Sequence, residues 1–94
     1  MNYIDDIAQR IQSEVPRDAL PDGDIASLFR LYALLALSKG VGVTPKDVHD
    51  AWSVWMSAEN PDHSAIQPFH ALSNSTRRED DVFVEAIRAS VPEK

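Results

Sequence analysis

The sequence predicts an all-α fold, a compact bundle of four helices, and three observations carry that prediction. Ile4, Ile7, Ile11 and Val15 recur at helical spacing near the start of the chain. The stretch "IASLFRLYALLALSK" is dominated by Leu and Ala, both strong helix formers. The run "TPKD" at residues 44–47 combines an N-cap threonine, a proline at the first helical position and a capping-box acid. Strand-type alternation is nearly absent.

Each element follows in order. Asn2 is expected to cap a helix over about 3–15, with Asp5 as the reciprocal partner and Pro16 as the stop. The connection "PRDALPDGD" reads as an ordered loop, with Ala19 and Leu20 folding back onto the core. Asp24 or Asp22 caps a second helix over about 24–39, and Gly40 is placed to end it with positive φ. Apolar residues occupy most of the circumference of this helix, which marks it as the central one or as an oligomer interface. Phe29, Tyr32 and Leu35 are the residues assigned to such an interface, in a homodimer. The third helix runs over about 45–58 from Thr44. An irregular loop with Pro61 and Pro68 follows, pinned by Ile66, Phe69 and Leu72. Ser73 caps the last helix, over about 74–90, whose buried face is expected to be Val82, Phe83, Ala86, Ile87 and Val91.

The 94 residues suffice for one small domain, taken as 1–94, and a domain of this size buries only about 60–65% of its unfolded surface. A net charge of −6, with Arg77-Arg78 as the one basic doublet and three acids directly after it, speaks against nucleic-acid binding. With no cysteine, disulfide and thiolate chemistry are excluded. Acids at Asp5 and Asp6 stand where a signal peptide would be basic, and no apolar stretch is long enough to span a bilayer. A cytoplasmic protein without membrane contact is the expectation.

The segment "DVHDAWSVW", residues 47–55, concentrates a histidine, two aspartates and both tryptophans. His49, His63 and His70 show no HxxxH or HExxH pairing on a helix, so no metal or cofactor is expected. No serine sits in a nucleophile elbow, and the glycines, at 23, 40 and 42, form no phosphate-cradling loop. Doublets such as Asp5-Asp6 and Asp80-Asp81 read as solvated faces and helix-dipole partners. No catalysis is expected. On the third helix Val48, Ala51, Trp52, Trp55 and Met56 share one face, with His49 at its edge. The plainest reading puts both tryptophans in the core. Of the two, Trp52 is the one expected inside, and Trp55 is the candidate for an exposed partner or ligand surface. Asp50 is expected to face solvent.

The string "VHDAWSVWM…NPDHSAIQPFHALSNSTRREDDVFVEAI" resembles the RyR domain, the small helical repeat of ryanodine receptors that also occurs in bacterial and phage proteins. The resemblance covers about residues 44–90. His49 and Trp52 match its His/Trp pair, and Asp62-His63 match its turn. Ile66, Pro68, Phe69 and Leu72 match its apolar–Pro–aromatic step, and Asp80 or Asp81 its last helix. Phe69 stands where the family usually has tyrosine, and the segment after the first family helix is shorter here. The first two helices also resemble small proteins of actinobacteria and their phages. The resemblance implies a non-enzymatic interaction protein, encoded by a phage or prophage, that binds a host or phage protein. Its alternative implication is a module for a nucleotide-derived ligand, on a surface of His49, Trp52, Trp55, His63 and Phe69.

Overall fold

Helix α1 (Tyr3–Glu14) starts where Asn2 Oδ1 accepts the Asp5 amide at 3.0 Å. The computed structural model describes residues 2–92. The Asp5 carboxylate turns to Arg30 of the next helix, 3.7 Å away, instead of closing the box. After a single 3₁₀ turn at Arg17–Ala19, helix α2 (Ile25–Ser38) begins under Asp24, whose side chain accepts the Ser27 amide. It ends at Gly40, whose φ of +59° is open to glycine at no steric cost. Helix α3 (Pro45–Glu59) carries the full capping box: Thr44 Oγ1 accepts the Asp47 amide at 3.3 Å, and Asp47 Oδ2 accepts the Thr44 amide at 3.0 Å. Residues 60–73 form a hydrogen-bonded loop with a 3₁₀ turn at Phe69–Ala71. Ser73 caps α4 (Asn74–Arg78), and α5 (Asp81–Ala89) completes the bundle. Among the described residues there is no strand, and no helix is long and apolar enough to cross a membrane.

The fourth predicted helix is therefore two pieces. The Glu79 and Asp80 amides bond to Thr76 and Arg77 carbonyls, three residues back, which tightens the turn between α4 and α5. Within α5 the inner stripe is Val84, Ala86 and Ile87, whereas Val82 is only half-buried. Arg88 ties α5 to the α2–α3 link by donating to the Val43 carbonyl at 3.0 Å.

Helix α2 is central, packed against α1, α3 and α5. Phe29 and Tyr32 meet edge-on with ring centroids 5.4 Å apart, and Tyr32 meets Phe83 of α5 at 5.6 Å. This placement corrects the interface expectation. Phe29 is 0% and Tyr32 1% exposed inside a single chain, and Leu35 is half-buried, because α1, α3 and α5 converge on that side of α2. The large apolar residues that α2 leaves open are Leu34 (56% exposed) and Leu37 (43%).

Candidate functional site

Each turn of α3 has a different neighbour, and this separates the residues of "DVHDAWSVW". Asp47 caps, Asp50 is exposed and pairs with Lys46 at 2.7 Å, and Val48 is fully buried. His49, 3% exposed, is anchored through one ring nitrogen: Nε2 donates to the Gln67 carbonyl at 2.6 Å. A carbonyl can only accept, so Nε2 carries a hydrogen. Through this bond α3 holds the proline loop in place.

The rings around His49 form a continuous series. Arg77 of α4 lies over Phe69, 5.8 Å from the ring centroid. Phe69 lies 6.1 Å from His49, His49 stacks on Trp52 at 5.7 Å and 23°, and Trp52 meets His63 edge-on at 5.1 Å. The Nδ1 atom of His63 accepts the Ala65 amide at 3.0 Å, so its ring is held by its own loop. His49, Trp52, His63 and Phe69 are thus brought together as expected.

Trp55 is not among them, and here the expectation is reversed. It is 5% exposed, and its indole Nε1 donates to the Asp24 carbonyl at 2.9 Å. Glu59 Oε1 accepts the Asp24 amide at 2.9 Å, so the end of α3 clamps the turn that launches α2. Gly23 makes room for the clamp: its φ is +100°, and a Cβ there would stand 2.7 Å from Glu59 Oε1. Trp52, half-buried, is the tryptophan that faces open space, because α3 opposes a gap between the proline loop and the α4–α5 turn.

That gap is a pocket of about 570 Å³, within the size range of small-molecule sites. Tyr32, His49, Trp52, His63, Asp80 and Phe83 line it. Asp80 is the functional candidate that sequence reasoning missed, having been read as part of a solvated doublet. Its Oδ2 is buried and has no hydrogen-bond donor among the described residues. Desolvation pushes its carboxyl up to about 6; His49 pulls the other way, and Glu79 and Asp81 push it further up. The phenol of Tyr32 is raised as well, by burial first and then by the charge of Asp80. A signal for Asp80 did exist. It lies four and seven residues before the buried Val84 and Ile87, on the stripe that faces the core.

Residues 2–92, nearly the whole chain, match the family described as a domain of unknown function, DUF7701. The chain belongs to that family. Neither a curated protein nor a solved structure matches it. In this DUF7701 chain no group of three or more histidine or carboxylate side chains gathers to hold a metal, among the described residues. The arrangement presents a carboxylate, two imidazoles and a phenol in a wall of aromatic rings, and these groups can orient and hydrogen-bond a small molecule.

Proposed function

We propose that the protein is a small-ligand-binding module and performs no chemistry on what it binds. One observation carries the reading: the Asp80 carboxylate, with a buried oxygen that no donor among the described residues satisfies, lines a pocket of ligand size. An ionised carboxylate held this way costs stability. Such a cost persists where a bound partner can use it. The same wall contains the His49/Trp52 pair that the RyR resemblance singles out.

Tryptophan fluorescence tests the reading, since Trp52 lines the pocket and Trp55 does not. A panel of amines, amino acids and nucleotides is titrated into the full chain. At least one compound should give a saturable change that persists in Trp55→Phe and disappears in Trp52→Ala. A flat response to every compound at millimolar concentration would remove the proposal.

A second reading, protein–protein contact, is favoured by a different surface. Leu34 and Leu37 of α2 are 56% and 43% exposed and lie three residues apart, and Val41, in the 3₁₀ turn after the helix, is 69% exposed. A homodimer through this face should lose mass in light scattering when Leu34→Lys is introduced. A monomer at every concentration of the unaltered chain would count against it.

A further inference from the structure

The charges around the pocket narrow the ligand class, given the binding reading above. Among the described residues three acids, Asp18, Glu79 and Asp80, line it, against a single arginine, Arg78. The N-terminus of α5, where an anion would otherwise sit, already carries Asp80 as its N-cap residue and Asp81 in its first turn. None of the three glycines lines the pocket, so no glycine loop is there to cradle a phosphate. The rest of the wall carries His49, His63 and Thr76 beside apolar and aromatic side chains, among them Trp52 from α3, Phe83 from α5 and Tyr32 from α2. Acids together with aromatic faces in one pocket are what a cation with an apolar body requires.

We propose that the pocket selects an organic cation, a primary ammonium on an aromatic or apolar body. The ammonium donates to Asp80 while the body lies against Trp52 and Phe83. Asp80 lines the pocket, so an ammonium bound there offsets its charge at the wall. This choice runs against a nucleotide-derived ligand. A phosphate would add negative charge beside three carboxylates with only Arg78 to offset it.

The test uses matched probes on the full chain at neutral pH: phenethylammonium, its neutral counterpart 2-phenylethanol, and adenosine monophosphate. Binding is read by fluorescence and by isothermal titration. Phenethylammonium should bind at least about tenfold more tightly than 2-phenylethanol, the factor expected for one charge-assisted hydrogen bond. Asp80→Asn should erase that difference while leaving the neutral probe unaffected. If 2-phenylethanol or adenosine monophosphate binds as well as the ammonium, the cation assignment is overturned and the binding reading stands. A difference that survives in Asp80→Asn also overturns it, because the selectivity then lies elsewhere. If none of the probes binds and the wider panel is flat as well, both fall together.

Discussion

Asp80→Asn is expected to make the protein more stable at pH 7.5, by roughly 1–2 kcal/mol, even as it removes the charge proposed to hold the ligand. The carboxyl moves from 3.8 to about 6 on folding. Two units correspond to about 3 kcal/mol, and the solvent that reaches the pocket reduces this. Because the folded value is the higher one, the neutral acid is favoured in the native state. Its contribution is complete below about 3.8 and is lost as pH rises through about 6. The charged groups that act on Asp80 are His49 from α3 and Glu79 and Asp81 beside it, and Asp80 acts in turn on the phenol of Tyr32. Asp24 has the opposite sign. Its hydrogen bonds with Ser27 lower its pKa, so its contribution is present above the ordinary carboxylate value and lost in acid. The gap between variant and parent should therefore be small at pH 4 and widest above pH 7. Urea unfolding at both pH values measures it. A variant less stable than the parent at pH 7.5 would mean that the carboxylate has a favourable partner, and the unpaired charge would lose its place in the argument for binding.

Trp55→Ala should cost about 3–5 kcal/mol, a large part of the 5–15 kcal/mol that holds a domain of this kind together. The change empties a core position that is 5% exposed and cuts the bond from indole Nε1 to the Asp24 carbonyl. Trp55→Phe should keep most of the packing and lose about 1 kcal/mol with the hydrogen bond. Trp52→Ala should be far milder, since its ring faces the pocket. Thermal unfolding of the three variants decides the order. Equal damage from Trp52→Ala and Trp55→Ala would contradict the division of labour between the two indoles.

Much of the local structure was legible before any fold was considered. Thr44, Pro45 and Asp47 satisfy the orphan amides at the start of α3 from within four residues, and no distant group takes part. The stop at Gly40 and the cap at Ser73 are equally local. Periodicity also placed Val48, Trp52 and Trp55 on one inward face. It could not rank them, because a helical face has the same spacing whether the next turn meets a packed helix or an open gap.

The sequence by itself determined the first three helices, the caps at Thr44 and Ser73 and the acidic character of the chain, since these depend on backbone hydrogen bonding and on side chains a turn apart. The tertiary structure alone decided which residues meet solvent. It buried Phe29 and Tyr32 under three helices, fastened Trp55 to the turn at Asp24, and broke the last helix at Glu79-Asp80. That break, together with the loop anchored at His49, leaves an acid on an apolar stripe facing a pocket instead of a core. The physical reason is one of range. A cap is settled within about four residues, whereas the surroundings of Asp80 come from α2, α3, the proline loop and α5, segments whose meeting is set by packing and by no pattern within any one of them.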